Sequence, residues 1–328
     1  MVKLVNFLFL ILQQHNQGSE KKKMPDKKKL IIINGPTGVG KTSISLSLAQ
    51  ELPVEFINAD SMQVYRYMDI GTAKPEPEEL SAVPHHLVSI VDPDEDFDAA
   101  KFMALGRKAV DDICLRGKIP VVVGGTALYI RALISGIFDA PGKDENLRKK
   151  LMEEETGILH KKLVEIDPET AIRVNRNDRV RIVRALEVYY LTGERLTAHH
   201  DKHKFEDTPY NCLRVCLNRD REVLYRRIEG RVDKMMEQGF LSEVKDLLER
   251  GYSPQLKSMQ SIGYKQLVSH LTEELPLAEA VLQIKRETRR FAKRQLTWFR
   301  KDPDVLWVKL PEKNCAIIDN IKKFLNIN

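Results

Sequence analysis

Residues 35–42 restrict the possible folds of this chain more than any other segment. They read Gly35-Pro36-Thr37-Gly38-Val39-Gly40-Lys41-Thr42 and satisfy the pattern GxxxxGK[ST] in full. The apolar run Leu30 to Ile33 precedes them and apolar residues follow at helical spacing, which predicts strand, loop and helix. Such a loop surrounds phosphate oxygens with backbone N–H groups, while Lys41 adds charge and the Thr42 hydroxyl is placed for a phosphate-bound Mg²⁺ ion. The segment therefore predicts a diphosphate or triphosphate site without naming the compound.

The chain before residue 139 alternates strand and helix patterns. A strand over Val54 to Ala59 ends at Asp60, a helix is predicted over Ala99 to Leu115, and a strand over Pro120 to Val123 stops just before Thr126. This alternation predicts an α/β fold, a phosphate-loop NTPase-like parallel sheet core flanked by helices on both faces. Ligands of such sheets bind beyond the carboxyl ends of the strands, where the loop and both polar residues would lie.

The pattern changes near Asp139 to helices rich in arginine, lysine and glutamate, with no clear strand before Lys204. Asn177-Asp178 can cap a helix that ends at Gly193. We expect four parts: a dispensable N-terminal extension (1–23), the first part of the core (24–138), an all-helical insertion (139–204), and the second part of the core with a basic C-terminal helix (205–328).

Charge and cysteine content limit the cellular setting and the partners. The 328 residues carry a formal charge of +6, and the basic residues cluster at Arg173 to Arg184 and at Lys285 to Lys301. Such clusters suit a polyanion, although a basic helix face is more often solvated surface. The four cysteines show no CxxC pair, which favours a reducing, cytosolic setting. The apolar stretch of the extension is too short to span a bilayer, so no membrane association is expected.

Two polar residues at strand ends could do chemistry. Asp60 could bind Mg²⁺ or act as a general base, or Asp60 and Ser61 could only cap a helix. Thr126 follows two glycines and could contact a ligand, or it could belong to a flexible turn. Position alone leaves both alternatives open.

Seven motifs, in order, resemble the tRNA dimethylallyltransferases, also called tRNA isopentenyltransferases. They are GPTGVGKT at Gly35, NADSMQVYR at Asn58, DIGTAKP at Asp69, GGTALYIRAL at Gly124, NDRVRIVRALEVYYLTG at Asn177, SIGYKQ at Ser261 and TRRFAKRQLTWFRK at Thr288. Ala127 stands where that family more usually has glycine, and Ser261 where it has alanine. The similarity runs from Lys28 to Trp307 and is of the bacterial type.

The resemblance implies transfer of a dimethylallyl group from its diphosphate to the N6 amine of the adenosine 3′ of the tRNA anticodon. It makes this chain a prenyltransferase in which the loop holds the leaving diphosphate with Mg²⁺. Asp60 would be the base, and Thr126 would contact the diphosphate bridge or the target base. Arg227 and Arg231 would complete the phosphate site.

The same resemblance implies a tRNA surface, with the insertion around the anticodon stem-loop of tRNA. The residues expected to contact tRNA are Asp60, Ser61, Met62, Gln63, Thr126, Arg148, Val180, Arg181, Ile182, Val183, Arg184, Gln260, Ser261, Ile262, Gly263, Tyr264 and Lys265. We expect a cytoplasmic monomer.

Two other functions remain compatible with parts of the sequence. A small-molecule or nucleotide kinase would use the loop for ATP and an aspartate as base, but it does not require two arginine-rich segments and a large insertion. A nucleotide-gated RNA-binding protein would explain the basic clusters but not Asp60 together with Thr126.

Overall fold

The structure is a computed structural model and describes residues 27–138, 142, 144–203, 207–272, 275–311 and 314–327. The predicted extension, residues 1–23, lies outside the described residues. Within the described ranges, no helix is long and apolar enough to cross a membrane.

Six parallel strands form one sheet in the described part of the chain. They are β1 (Lys28–Asn34), β2 (Val54–Ala59), β3 (His85–His86), β4 (Ile119–Gly124), β5 (Tyr210–Arg219) and β6 (Val305–Leu310). The order is β3-β2-β4-β1-β5-β6, and every pairing is parallel. The predicted parallel sheet is therefore confirmed, and its central strand β1 lies between β4 and β5, which come from the two sides of the insertion.

Side chains of β1 alternate between two apolar cores, one on each face of the sheet. Leu30 and Ile32 enter one core, whereas Ile31 and Ile33 enter the other. All four are fully buried, as the strand period of two requires when helices cover both faces.

Helices cover both faces of the sheet and form the insertion. They are α1 (Lys41–Glu51), α2 (Pro77–Ala82), α3 (Ala99–Leu115), α4 (Ala127–Ser135), α5 (Glu145–Glu153), α6 (Thr156–Ile166), α7 (Pro168–Arg173), α8 (Arg179–Thr192), α9 (Leu196–His203), α10 (Arg221–Glu237), α11 (Phe240–Glu249), α12 (Tyr264–Thr272), α13 (Leu277–Phe299) and α14 (Asn314–Leu325). Helix α14 packs with the core that contains Ile31 and was not predicted.

The five helices α5 to α9 enclose a core of their own, separate from the two cores of the sheet. As predicted, Asp178 caps α8, since its carboxylate accepts from the Arg181 N–H at 3.2 Å. Gly193 ends the helix with a φ of 72°. Caps define where the helix begins and ends, but a short amphipathic helix is stable only when its apolar face packs against a partner surface. Here the other helices of the insertion provide that surface.

Helical spacing places Phe291, Gln295 and Trp298 on one face of α13 and predicts a core stripe there. For Trp298 that prediction is wrong, because Trp298 is 37% exposed and Phe299 is buried in its place. Cys212 and Cys216 lie in an alternating apolar stretch, which predicts their burial; burial raises the pKa of Cys212 to about 11 and that of Cys216 to about 12. Both thiols therefore stay protonated and pack as small apolar groups.

Candidate active site

The loop of residues 35–42 lies between β1 and α1 at the carboxyl edge of the sheet. Gly38 has a φ of 76°, a conformation that favours glycine. Gly40 precedes α1 and makes no side-chain capping bond. The first backbone N–H groups of α1 therefore lack a side-chain partner and can bind an anion.

Lys41 lies inside the loop and folds back on it. Its Nζ donates to the carbonyl oxygens of Gly35 at 3.0 Å and Pro36 at 3.1 Å. Burial lowers the pKa of Lys41 to about 8; the charge of Asp60 offsets part of this shift and that of Arg231 adds to it. A bound diphosphate would supply the negative charge that this ammonium group lacks.

Three arginines fix the loop from β5 and α10. Arg227 Nε donates to the Gly38 carbonyl at 2.9 Å, Arg231 Nη1 donates to the Thr37 hydroxyl at 3.3 Å, and Arg219 Nε donates to the Val39 carbonyl at 2.7 Å. Burial lowers the pKa of Arg231, and the nearby charge of Arg227 lowers it further. The structure thus brings both predicted arginines to the loop, and it adds Arg219, which sequence analysis missed.

Asp60 and Thr126 meet where β2 and β4 end. The Asp60 carboxylate accepts from the Met62 N–H at 2.9 Å, and the Thr126 hydroxyl accepts from the Ser61 N–H at 3.0 Å. The Thr126 N–H donates to the Ala59 carbonyl at 3.1 Å. Both side chains thus order the turn of residues 60–62 that follows β2, and no helix begins at Asp60.

Gln295 on α13 joins the two glycine-containing turns of the site. Its Oε1 accepts from the Thr37 N–H and its Nε2 donates to the Gly125 carbonyl, both at 2.9 Å. A Cβ at Gly125 would overlap this amide. Helical spacing places Gln295 in the otherwise apolar stripe of α13 and does not predict this role; the lone amide in that stripe was the available signal, because a buried amide needs partners.

Two cavities meet at Asp60, and both are also lined by Thr37, Thr72 and Arg231. The larger, of about 860 Å³, contains the phosphate loop with Lys41. The smaller, of about 380 Å³, is more apolar. Several residues that were predicted to contact tRNA line this smaller cavity. They are Ser61, Met62, Thr126, Gln260, Ser261, Ile262, Gly263 and Tyr264. Lys265 is exposed beyond this set.

Two of the residues predicted to contact tRNA make hydrogen bonds within the protein. Gln63 Nε2 donates to the carbonyls of Thr72 at 3.1 Å and Ala73 at 2.9 Å. Tyr264 is 1% exposed, and its hydroxyl donates to Glu243 at 2.6 Å. Gln63 lines the larger cavity and Tyr264 the smaller one, and their contact with tRNA stays a prediction.

In the insertion, Arg148 and Arg184 share one carboxylate. Glu187 is fully buried and accepts from Arg148 at 2.7 Å and from Arg184 at 2.6 Å. Arg181 pairs with Asp178 at 2.8 Å and remains 68% exposed. All three predicted arginines thus lie on helices of the insertion. Arg148 and Arg184 share the carboxylate of Glu187 as a counter-ion, which the sequence did not reveal.

The neighbouring apolar residues require a correction. Ile182 and Val183 are 0% and 2% exposed and belong to the core of the insertion, so their side chains do not reach a ligand. Val180 is 72% exposed. The motif spans a whole turn of helix α8, and only one side of that turn faces solvent.

The described residues contain no group of three or more histidine, cysteine, aspartate or glutamate side chains that could hold a metal ion. At the loop, the exposed Thr42 hydroxyl and the Asp60 carboxylate line the same cavity and could serve as oxygen ligands. Such a pair suits an ion whose other ligands come from phosphate and water.

Fold and site together define a phosphate-loop α/β protein with a helical insertion. A family model described as IPP transferase matches residues 63–302, and one described as isopentenyl transferase matches residues 28–89. The chain therefore belongs to the tRNA dimethylallyltransferase family, the prenyltransferases that its motifs resemble.

Individual relatives agree. A tRNA dimethylallyltransferase of Syntrophobacter fumaroxidans is 53% identical, over 85% of this chain and 82% of the relative. The tRNA dimethylallyltransferase 2 of Geotalea uraniireducens is 52% identical, over 91% and 98%.

Solved structures show the same fold. The tRNA isopentenylpyrophosphate transferase of Bacillus halodurans matches with a TM-score of 0.70 and 42% identity, over 92% of this chain and 97% of the other. A eukaryotic dimethylallyltransferase captured acting on tRNA matches with a TM-score of 0.78 and 31% identity, over 92% and 80%.

Proposed function

We propose that this enzyme transfers a dimethylallyl group from dimethylallyl diphosphate to the N6 amine of the adenosine 3′ of the anticodon in tRNA, with release of diphosphate. The observation that carries the proposal is the meeting of two unlike cavities at one carboxylate. The larger one offers the phosphate loop, and the smaller one is more apolar; Asp60 lines both. A donor and an acceptor bound from the two sides would meet at that carboxylate.

The larger cavity suits the diphosphate of the donor. Lys41, Arg227 and Arg231 bring positive charge to the loop, and α1 adds backbone N–H groups. As the bond between the allylic carbon and oxygen breaks, its electron pair leaves with the diphosphate, and these groups stabilise the increasing charge.

The Asp60 carboxylate is placed for the acceptor side of the reaction. The N6 lone pair of adenine is delocalised, so the amine is a weak nucleophile. N6 forms a bond to the allylic carbon and loses a proton, which Asp60 accepts as general base. Thr126 orders the Asp60–Ser61 turn through the Ser61 N–H and retains a hydroxyl hydrogen to donate to the diphosphate bridge or the base.

Mg²⁺ fits this site through the Thr42 hydroxyl, which would hold it beside the diphosphate. When bound, the ion supplies positive charge to the leaving group. Lys41 and Arg231 would add positive charge beside the ion. Neither makes a salt bridge within the described residues, so the charge of both is available to the diphosphate.

The tRNA would lie across the insertion and α12. Arg181, Arg148 and Arg184 would contact the phosphate backbone of the anticodon stem-loop, and Lys265 would extend that surface. The target adenine must leave its stack to reach Asp60, as enzymes that modify bases require. We place this activity in the cytoplasm, in a monomer.

The test is incubation with labelled dimethylallyl diphosphate or with ATP labelled at the γ-phosphate, each with and without tRNA. Label from the prenyl donor should appear in tRNA in a Mg²⁺-dependent way, and mass spectrometry should locate it at the adenosine 3′ of the anticodon. Transfer of the γ-phosphate to a small molecule or to RNA would support a kinase. Binding of tRNA without any transfer would support an RNA-binding protein.

A further inference from the structure

Glu243, near the start of α11, binds the chain segment that follows β2. Its Oε2 accepts from the backbone N–H groups of Asp69 at 2.8 Å and Ile70 at 2.6 Å. Its Oε1 accepts from the Gly71 N–H at 3.0 Å and from the Tyr264 hydroxyl at 2.6 Å. Three consecutive backbone donors on one carboxylate form an anion nest, here occupied by a side chain.

The segment held in this way is part of the active site. Gly71 and Thr72 line the smaller cavity, and Thr72 and Ala73 line the larger one. Residues 71–73 therefore form a wall shared by the two cavities that meet at Asp60. Any movement of this wall changes the space on both sides of the reacting atoms.

The segment that carries the wall has a strained backbone at two residues, although it also makes internal hydrogen bonds such as Ala73 N–H to the Ile70 carbonyl at 2.9 Å. Tyr67 and Ala73 have φ values of 63° and 45°, which are unfavourable for residues with a side chain. Such conformations persist only where the surroundings determine them. Gln63 holds the carbonyls of Thr72 and Ala73, and Glu243 holds the N–H groups on the other side of Thr72.

Packing adds a close contact at the same place. A Cβ at Gly71 would overlap the ring of Phe240, the first residue of α11, and would press against Tyr264. Burial raises the pKa of Tyr264, and the charge of Glu243 raises it further. Tyr264 therefore keeps its proton and donates a hydrogen bond to Glu243. The two oxygens of Glu243 thus accept four hydrogen bonds, and the carboxylate is not free to act as a base.

We propose that Glu243 is a positioning residue for prenyl transfer: it fixes the wall at residues 71–73 so that donor and acceptor meet at Asp60 in reacting geometry. The inference rests on the proposed function. Glu243 touches neither substrate and acts through the backbone of residues 69–71. Because transfer depends steeply on the alignment of the reacting atoms, a displacement of about 1 Å costs roughly 100-fold in rate.

The test compares Glu243→Gln with wild type in single-turnover transfer and in separate titrations of donor and tRNA. The glutamine amide can present only one oxygen to the three N–H groups. We expect the rate to fall about 10- to 100-fold, while both dissociation constants stay within about threefold because the loop and the insertion are unchanged. Glu249→Gln is the matched control and should keep the wild-type rate; Glu249 lies on the same helix and, within the described ranges, pairs only with Lys245 at 3.5 Å.

Tyr264→Phe is the second variant, because it keeps the carboxylate and removes one of its four bonds. It should lower the rate in the same direction and by less. Hydrogen exchange at the amides of residues 69–71 should speed up in Glu243→Gln and stay slow in the control.

Two results would overturn the inference. One is wild-type transfer by Glu243→Gln and Tyr264→Phe. The other is an equal loss of rate and of both affinities with a lowered melting temperature, which would make the role purely structural. Wild-type enzyme is assayed first in the same experiment; if it transfers no label, the proposed function itself falls and this inference with it.

Discussion

The cations of the phosphate loop and those of the helical insertion have opposite surroundings. Lys41 and Arg231 bond to carbonyl and hydroxyl oxygens and have lowered pKa values. In the insertion, Arg148 and Arg184 share the buried carboxylate of Glu187. The first region holds positive charge that a bound anion would balance, whereas the second holds two arginines whose charge one protein carboxylate balances in part.

This difference in surroundings predicts different effects on ligand binding and on the stability of the free protein. Unbalanced buried charge costs stability in the free protein and is compensated when an anion binds. A balanced buried pair contributes little net stability, but removal of one partner is costly. Positive side chains therefore serve a ligand in the first region, whereas in the second Arg148 and Arg184 also contribute to the fold.

The largest effect should come from Asp60, whose charge raises the pKa of both Lys41 and Arg231. Asp60→Asn should slow single-turnover transfer by roughly 10² to 10⁴ through loss of the general base. Donor affinity should stay equal or improve, because the loop becomes more positive. Transfer at the wild-type rate would remove Asp60 from this role, and a large loss of donor affinity would mean that its main task is to bind the metal.

Lys41→Met should weaken binding of dimethylallyl diphosphate by about 10- to 100-fold, the usual range for loss of a hydrogen bond to a charged group, and should slow transfer as well. The ligand-free variant should melt at a higher temperature than wild type, since an uncompensated ammonium group has been removed. Calorimetry with and without donor measures both quantities. A lower melting temperature would show that the charge of Lys41 is already balanced.

Glu187→Gln tests the other side of the comparison. Arg148 and Arg184 would lose their shared counter-charge, and the free energy of unfolding should fall by about 1–3 kcal/mol. Donor affinity should not change. Glu169→Gln is the control, because its pair with Arg173 is exposed on both sides and should contribute under about 0.5 kcal/mol. Equal melting curves for the two variants would contradict a structural role for Glu187.

The phosphate loop and the sheet could be predicted from sequence because both are local patterns. Strand period, helix spacing and the cap at Asp178 each involve residues within a few positions of one another. Gln295 could not be placed, since its partner Thr37 is 258 residues away. The same reason hid Glu243, which lies more than a hundred residues from the N–H groups it binds. Ile182 and Val183 were misassigned because a motif does not show which side of its helix is buried.

Donor affinity should depend on pH through Lys41. Its pKa is about 8 in the free protein, and diphosphate raises that pKa by stabilising the charged form. Affinity is therefore complete about one unit or more below pH 8 and should fall, by roughly tenfold, as pH rises through 8 toward 9.5. In Lys41→Met this part of the pH dependence should vanish, and a titration that retains it would assign it to another group.

The smallest effect concerns the exposed arginines. Arg181→Ala with Arg184→Ala should weaken binding of an anticodon stem-loop and leave donor affinity unchanged. Each lost phosphate contact should reduce the slope of log affinity against log salt by about 0.7 to 0.9. Because Arg181 is the more exposed of the two, its single variant should account for most of the change. An unaltered slope would place the tRNA contacts elsewhere, first on α13.

The bond from Gln295 to the loop also has a consequence for biosynthesis. The loop motif is complete once residue 42 has been made, yet the amide that holds the Thr37 N–H and the Gly125 carbonyl belongs to α13. A nascent chain that ends before Gln295 therefore carries the entire motif without its support, and β6 is also still missing. Folding of the amino-terminal half during synthesis thus produces a loop of correct sequence whose geometry is completed only by the last quarter of the protein. Prematurely terminated chains should for this reason not sequester the prenyl donor.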